Sequence, residues 1–385
     1  MRVNLVVADN GAGLSRDMRL LAGVLADAGM DVTVTALRRG KLRKWLRPLW
    51  VRAGNLVRRL LGRRPPFRLN LMLEHIRAEY LPWAERNALV PNPEYLLDSD
   101  RVLLARMDRI FVKTRHAQEI FALLGSEVDY VGFTSEDRLD EGVPRKRAFF
   151  HLAGKSGSKG TQAVLAAWRQ HPHWPHLTVI QNSRSAKVGA PAPNLTHLVE
   201  YVPDERLREM QNAHQFHLCP SETEGFGHYL MESLSVGAVT LTTDGMPMNE
   251  LVSAERGILI PVAATGQQAA AKTWIASAAE IAAAVERALA LDEAQLEKLR
   301  GAGRAYFVES DLAFRECLPG RLQDWLGPDS PAQLAPGQGM AEPQIKRLRI
   351  GFRQITNLKR WRKAVRTGGV QPEAGSSKPS VKRRA

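Results

Sequence analysis

A strand–glycine loop–helix pattern occurs twice along this chain and constrains its fold more than any other feature. The first copy has an apolar strand at Val3–Val7, a loop at Gly11–Gly13 and a helix whose apolar residues recur at helical spacing. The second has a strand at Phe149–Leu152, a loop at Gly154–Gly160 and a helix at Thr161–Gln170. A buried strand, a glycine loop and a helix in succession are typical of doubly wound parallel sheets. We therefore predict an α/β chain with two consecutive Rossmann-like domains.

The length of 385 residues suits two domains. We assign residues 1–140 to an N-terminal Rossmann-like domain that carries a basic amphipathic insert at 38–68. Residues 148–327 form the predicted C-terminal domain. The segment 328–385 is rich in Pro, Gly, Ser and Lys/Arg, and we expect this basic tail to be largely disordered.

The net charge of +14 is concentrated in two segments. Residues 32–73 contain twelve bases and no acid, and residues 331–385 contain thirteen bases against Glu342 and Glu373. The rest of the chain carries a net charge of −9. An acidic body with two basic segments differs from a uniformly basic nucleic-acid binder.

Cysteine content and hydropathy indicate where the protein works. Cys219 and Cys317 are the two cysteines, too few for a disulfide framework, which favours a reducing compartment. We see no signal peptide and no run approaching ~18 apolar residues, as a transmembrane helix would require. The sequence thus predicts a cytoplasmic protein, with the inner membrane face as a possible site of peripheral binding.

The segment Pro220–Val252 carries the most specific chemistry. Glu224 and Glu232 are eight residues apart, and Gly225-Phe226-Gly227 directly follows the first of them. Glycines at the start of a helix let backbone N–H groups approach an anion such as a pyrophosphate. Carboxylates beside such a loop can accept hydrogen bonds from sugar hydroxyls. The alternative is an ordinary amphipathic helix with glutamates on its solvated face, which the surrounding order of residues disfavours.

This segment resembles the signature of the retaining family 4 (group 1) glycosyltransferases, which have the GT-B fold. The spacing Glu224–Glu232 with its glycines, then Thr243-Asp244-Gly245 and Asn249–Val252, follows the pattern of that family. The resemblance covers about residues 148–326 well and the N-terminal domain in outline only. It implies two Rossmann-like domains facing a cleft, with a nucleotide-diphosphate sugar bound mainly by the C-terminal one.

The same resemblance implies a role for individual residues. Glu224 would contact the donor sugar, Glu232 the ribose and Tyr201 the base. The loop after the first C-domain strand would place Lys155 and Lys159 on the diphosphate, although Lys155 stands where the family usually has arginine. The implied reaction is glycosyl transfer with retention, without a cofactor or metal, in which these lysines stabilise the departing diphosphate.

In the N-terminal domain, the glycine loop with Gly11 and Gly13 lacks the third glycine of a dinucleotide fingerprint. We expect it to face the cleft. His75 follows an apolar strand, at the edge where open α/β sheets bind ligands, and is a catalytic candidate as well as a candidate structural histidine. Asp98-Ser99-Asp100 resembles a metal-binding motif, but we expect a solvated surface segment there. Further cleft candidates are Lys113-Thr114 and Gly132–Ser135.

The basic insert interleaves apolar and cationic residues. Leu42, Trp45 and Leu46 begin an apolar stripe at helical spacing, with arginines and lysines on the other side. We predict a pair of interfacial helices, broken near Pro48 and Gly54, that binds an anionic membrane surface. Residues 331–385 are a second candidate segment for this contact. The alternative is a helix whose apolar face packs on the N-terminal domain.

The predicted function is therefore a retaining, hexosyltransferase-type glycosyltransferase in polysaccharide biosynthesis, acting on a glycan, a lipid-linked acceptor or a small molecule. One alternative is a non-catalytic α/β protein that binds nucleic acid through its basic segments, which the charge distribution disfavours. Another is a nucleotide-sugar epimerase or a phosphorylase of the same fold.

Overall fold

The computed structural model describes residues 1–8, 13–37 and 41–327, with the backbone alone for residues 41–45. A six-stranded parallel sheet forms the core of its N-terminal half, in the order β2-β1-β3-β4-β5-β6. The strands are β1 (Arg2–Val7), β2 (Asp31–Ala36), β3 (Phe67–Leu73), β4 (Ala84–Val90), β5 (Arg109–Val112) and β6 (Val128–Tyr130). The chain reverses its direction of sheet growth between β1 and β3, which makes their carboxyl ends a switch point where ligands bind.

The C-terminal half has a second parallel sheet of six strands, in the order β12-β11-β10-β7-β8-β9. Its strands are β7 (Lys146–Gly154), β8 (Leu177–Gln181), β9 (Leu195–Leu198), β10 (His214–Cys219), β11 (Val239–Thr243) and β12 (Gly257–Ile260). Here the switch point lies between β7 and β10. The strand and the helix of both predicted units are confirmed, and a loop joins β7 to the helix at Thr161–Gln170, whereas residues 9–12 of the first loop lie outside the described residues.

Helices cover the sheets, and one β-hairpin extends from the C-terminal half. The N-terminal half contains α1 (Gly13–Asp27), α2 (Lys41–Leu60), α3 (Asp98–Leu103) and α4 (Arg115–Leu123). The C-terminal half contains α5 (Thr161–Gln170), α6 (Asp204–Ala213), α7 (His228–Ser235), α8 (Met248–Leu251), α9 (Ala278–Leu289) and α10 (Glu293–Leu326). The hairpin consists of β13 (Ala264–Gln268) and β14 (Ala271–Ile275).

The long helix α10 packs on both halves. Leu296 near its start belongs to the core of the C-terminal half. Leu318 and Leu322 near its end lie in the cluster that contains Val3 and Leu5 of β1. Both sheets therefore belong to one compact unit, Met1–Gly327, held together by a shared hydrophobic cluster.

The basic insert forms one helix, so the predicted pair of helices is wrong. α2 runs through both Pro48 and Gly54 without a break. It is held to the N-terminal half by buried Val51 and by Asn55, whose Nδ2 donates to the carbonyl of Glu79 at 3.0 Å. These tertiary contacts, with strong helix formers on both sides of Pro48, outweigh the local cost of the proline.

Candidate active site

Two loops meet at the carboxyl edge of the C-terminal sheet, where β7 and β10 lie side by side. Gly160 has φ +63°, and a Cβ there would lie 2.5 Å from the carbonyl oxygen of Pro220. The Glu222 backbone N–H donates to the carbonyl of Ser158 at 3.0 Å. Glycine at position 160 thus lets the lysine-bearing loop and the glutamate-bearing loop come into contact at the switch point.

Lys159 and Glu224 form an ion pair across these loops. Lys159 Nζ donates to Glu224 Oε1, and the Ser221 hydroxyl donates to the same oxygen. The Lys159 ammonium also lies 3.9 Å from the centre of the Tyr229 ring. The side chains of Lys159 and Glu224 are 15% and 12% exposed, so the pair is largely enclosed while both groups keep some contact with solvent. We call Lys159, Ser221, Glu224 and Tyr229 the donor-side cluster.

The glycine turn between Glu224 and α7 is shaped by both halves of the molecule. Gly227 has φ +89°, where a Cβ would lie 2.8 Å from Leu230. Phe226, predicted to bind the donor, is buried with its ring centre 5.2 Å from that of Phe133 in the N-terminal half. Its side chain therefore packs at the contact between the two halves, and only the backbone of the turn lies beside Glu224.

Glu232, predicted to bind the ribose, is 1% exposed on α7. Arg16 Nη1 of α1 donates to its Oε1, and Gln211 Nε2 donates to Oε2 at 2.8 Å. The second glutamate of the motif thus pairs with the N-terminal half, whereas the first pairs within its own half. Each carboxylate oxygen has two lone pairs, so Glu232 can accept further hydrogen bonds beside those already made.

A buried charged network joins the halves. Asp17 of α1 accepts from Lys113 Nζ at 2.5 Å and contacts His228 Nε2 at 2.6 Å. The other ring nitrogen of His228 lies 2.7 Å from the Ser135 hydroxyl, and Lys113 also donates to Asn92 at 2.9 Å. Burial raises the pKa of Asp17, but Lys113 and His228 outweigh it and hold that pKa well below its usual value. We call Asp17, Asn92, Lys113, Ser135 and His228 the interdomain cluster.

His75 lies directly after β3, as predicted. Its Nδ1 is 2.8 Å from Asp100 Oδ2, and the other carboxylate oxygen of Asp100 accepts from the Ile76 N–H at 3.0 Å. Asp100 is buried, so the expectation of a solvated segment is wrong there, because this carboxylate serves as the partner of His75 and of backbone N–H groups. Glu74, with φ +67°, brings its carboxylate within 3.6 Å of His75 Nε2.

The remaining predicted residues are spread over the edge of the molecule. Lys155 is exposed in the loop after β7. Tyr201 is 86% exposed between β9 and α6. Gly13 begins α1, and Gly11 lies outside the described residues. The geometry brings Lys159 together with Glu224, and leaves Lys155 and Tyr201 in open loops.

Several residues at this edge were missed by sequence reasoning. Asp17 and the turn Asn92-Pro93-Glu94 belong to no motif, and His228 follows the glycines of the motif directly but was assigned no role. The available signal was the position of this turn directly after β4, since the carboxyl ends of parallel strands line ligand sites. Within the described residues, no group of three or more His, Cys, Asp or Glu is arranged to hold a metal ion.

Comparisons with known proteins agree with this geometry. Residues 190–296 match the family described as glycosyl transferases group 1, a span that contains Glu224 and Glu232 but begins after Lys159. None of the curated proteins searched matches the chain.

Solved structures with the same fold include three proteins of low sequence identity. A glycosyltransferase from Rickettsia africae ESF-5 is 10% identical, with a TM-score of 0.63, over 85% of this chain and 99% of that one. Sucrose-phosphate synthase from Thermosynechococcus elongatus is 16% identical, with a TM-score of 0.62, over 84% and 98%. An E. coli structure described as trehalose-6-phosphate bound with UDP-2-fluoro glucose is 13% identical, with a TM-score of 0.58, over 84% and 99%.

The described residues therefore adopt the two-Rossmann-domain GT-B type of α/β fold, as the sequence predicted. The region with the two glutamates is similar to group 1 glycosyl transferases.

Proposed function

We propose that this protein is a retaining glycosyltransferase that uses a nucleotide-diphosphate sugar as its donor. The observation that carries the proposal is the Lys159–Glu224 pair at the switch point of the C-terminal sheet. Its glutamate lies inside the span that matches group 1 glycosyl transferases, and a structure of the same fold holds UDP-2-fluoro glucose.

Within this proposal, Lys159 binds the diphosphate and Glu224 binds hydroxyls of the transferred sugar. An ammonium has three N–H donors, so Lys159 can bond Glu224 and phosphate oxygens together. The exposed Lys155 adds a second cation from the same loop, and the start of α7 adds the partial positive charge of a helix N-terminus. Glu232 binds the ribose, and the exposed Tyr201 packs on the base.

The chemistry requires one bond exchange. The bond between the anomeric carbon and the distal phosphate oxygen breaks, and a bond to the acceptor oxygen forms on the same face of the sugar. The acceptor proton passes to the leaving phosphate oxygen, so no separate base is required. Negative charge builds on the departing diphosphate, where Lys159 stabilises it, and His75 orients the sugar from the opposite half.

We further propose that α2 holds this cytoplasmic enzyme on an anionic membrane surface, close to a lipid-linked or glycan acceptor. Trp50 is 75% exposed, and further apolar side chains on the same helix or directly after it are exposed with it: Leu46, Leu49, Leu56, Val57, Leu60 and Leu61. Such a stripe beside arginines is typical of interfacial helices. Among the described helices, none combines the length and apolar character needed to cross a bilayer.

The active-site proposal is tested with Lys159→Ala and Glu224→Ala. Each should lower sugar transfer at least about 100-fold, the order expected for the loss of one group that stabilises developing charge. Lys187→Ala, which removes an exposed lysine from a loop of the same half, is the matched control and should keep full activity. Transfer that survives both site substitutions would contradict the proposal, and donor conversion without any acceptor would indicate an epimerase.

The membrane proposal is tested by sedimentation with vesicles of phosphatidylcholine and phosphatidylglycerol. Leu49→Ser with Trp50→Ser should lose most of the binding. Val102→Ser with Leu123→Ser removes two equally exposed apolar side chains from other helices and should bind like the unchanged protein. Equal sedimentation of the two double variants would count against α2 as the membrane contact.

A further inference from the structure

A buried carboxyl group from the N-terminal half lies against the loop between β10 and α7, residues 220–227, which carries Glu224 and which we call the donor-side loop. Glu94 belongs to the 3₁₀ turn Pro93–Tyr95, directly after the carboxyl end of β4. It is 7% exposed, and among the described residues no partner lies within hydrogen-bond distance of its Oε2. Burial of a polar atom without a partner is unfavourable, so such an atom calls for an explanation beyond packing.

The backbone around Glu94 is held in place by the C-terminal half. The Ala270 N–H donates to the carbonyl of Pro93 at 3.2 Å, and Gln268 Nε2 donates to the carbonyl of Glu94 at 3.2 Å. Both donors come from the β13–β14 hairpin. The same hairpin is joined to the donor-side loop, because the Trp274 N–H donates to the carbonyl of Glu222 at 2.7 Å. The turn and the donor-side loop are therefore fixed relative to each other.

The carboxyl group of Glu94 reaches the residue that follows Glu224. A Cβ on Gly225 would lie 2.8 Å from Glu94 Oε1 and 2.4 Å from Asn92 Oδ1. A glycine at position 225 thus leaves the space that the turn of the N-terminal half occupies. Under the proposed function, Glu224 binds the transferred sugar, so Glu94 lies beside the residue that follows the sugar-binding glutamate.

The charged groups that act on Glu94 come from three elements. Glu224 comes from the donor-side loop, Glu74 from the end of β3 and Lys113 from the end of β5. Burial is the largest cause, and together with Glu224 and Glu74 it raises the pKa of Glu94 to about 7, while its own backbone and Lys113 act in the opposite direction. Near neutral pH this carboxyl group can donate as well as accept a hydrogen bond, and sugar hydroxyls can meet either need.

We propose that Glu94 binds a hydroxyl group of the donor sugar through Oε2, so that the sugar is held between Glu224 of one half and Glu94 of the other. This inference rests on the proposed function and adds a residue that selects the sugar. It lies outside the span that matches group 1 glycosyl transferases. In this role, Glu94 contributes to binding of the sugar and leaves binding of the bare nucleoside diphosphate unchanged.

The experiment compares Glu94→Met, which keeps the side-chain length and removes hydrogen bonding, with Glu94→Gln, which keeps both a donor and an acceptor. Calorimetry measures Kd for UDP and GDP, and for UDP-glucose, UDP-N-acetylglucosamine and GDP-mannose. The sugar increment is the ratio of the Kd of the bare diphosphate to that of its sugar. We expect Glu94→Met to lower the largest of the measured sugar increments at least tenfold and Glu94→Gln to retain most of that increment. Both variants should bind UDP and GDP as the unchanged protein does.

Glu85→Met is the matched control, since Glu85 lies on β4 at the end away from the turn and pairs with Arg68. If Glu94→Met does not fold, Glu94→Ala takes its place. An increment that survives the loss of the carboxyl group overturns the inference, as does the absence of any increment in the unchanged protein. Failure of the proposed function is seen separately: UDP and GDP would then bind neither the unchanged protein nor Lys159→Ala.

Discussion

The donor-side cluster and the interdomain cluster both pair a lysine with a carboxylate of the same half, yet they differ in how deeply the pair is buried and in whether it also contacts the other half. Lys159 and Glu224 belong to the same half and keep some exposure. Lys113 and Asp17 belong to the N-terminal half and are more deeply buried, and Asp17 also contacts His228 across the seam, the contact between the two halves. The Lys159–Glu224 pair is therefore able to contact a ligand as well, whereas the Lys113–Asp17 pair is enclosed at the contact between the halves.

The two glutamates of the motif also differ in whether their partner belongs to the same half or to the other half. Glu224 contacts Lys159 inside the C-terminal half, and Glu232 contacts Arg16 across the seam. Two glutamates that form one motif along the chain thus have partners of different origin: a lysine of the same half and an arginine of the other half. Changes in each cluster should consequently affect different measurements.

The largest effect on stability should come from Asp17→Leu. It leaves Lys113 and His228 beside an apolar side chain in a buried site, which should lower the free energy of unfolding by about 3–5 kcal/mol. Urea denaturation measures the loss. The double variant Asp17→Leu/Lys113→Met removes the unpaired ammonium and should recover much of it. Glu224→Gln in the more exposed donor-side cluster should lower the free energy of unfolding by at most about 1 kcal/mol. A loss as large as that of Asp17→Leu would show that the two clusters do not differ in their contribution to stability.

Glu94 should make stability depend on pH near neutrality. Its pKa is about 7 in the folded protein against an ordinary 4.5, so between these values the folded state binds more protons than the unfolded state. The contribution of protonated Glu94 to the free energy of unfolding is present in full below pH 4.5 and is lost as the pH rises to about 7. The difference between the two pKa values corresponds to about 3 kcal/mol of that free energy. Glu94→Gln should flatten this part of the profile of unfolding free energy against pH. A profile unchanged by the substitution would show that Glu94 does not titrate there.

Glu232→Gln tests the ribose role that we propose for the second glutamate. A glutamine keeps one acceptor oxygen in place of two and loses the negative charge, so Arg16 and the ribose have to share that oxygen; the preference for a ribonucleotide should fall about tenfold, or about 1.4 kcal/mol. Calorimetry with UDP and 2′-deoxy-UDP, or the matching guanine pair, measures this preference. Glu224→Gln should leave the preference intact; if it abolishes the preference instead, the two glutamates have the opposite assignment.

The smallest effect should come from Glu250→Gln at a second contact between the halves. Glu250 of α8 accepts from the backbone N–H groups of Arg115 at 2.7 Å and His116 at 3.1 Å, at the start of α4. Loss of the negative charge and of one acceptor oxygen should lower the free energy of unfolding by about 1 kcal/mol. Thr114→Ala, which removes the cap that α4 has from its own half, should cost a similar amount. Amide exchange at Arg115 and His116 should accelerate in the Glu250 variant; unchanged exchange would contradict a clamp at this position.

Local patterns predicted the parallel strands and the start of α7 at His228 because each depends on residues that are close in sequence. A buried strand is an apolar run, and the glycine turn before α7 is readable from Gly225 and Gly227. The helix α10 was missed because its apolar residues face the C-terminal half at Leu296 and the N-terminal half at Leu322. One amphipathic stripe does not describe such a helix.

The sequence by itself determined the two Rossmann-like halves and the glycine turn before α7, since glycines and apolar runs encode these locally. Only the tertiary structure decided that Glu232 belongs to the seam, that Asp17 meets residues 96 and 211 positions away, and that Glu94 reaches Gly225. Oppositely charged side chains form ion pairs wherever the packing of the two halves brings them together. The spacing of these residues along the chain does not reveal their contacts, because the contacts depend on how the two halves pack against each other.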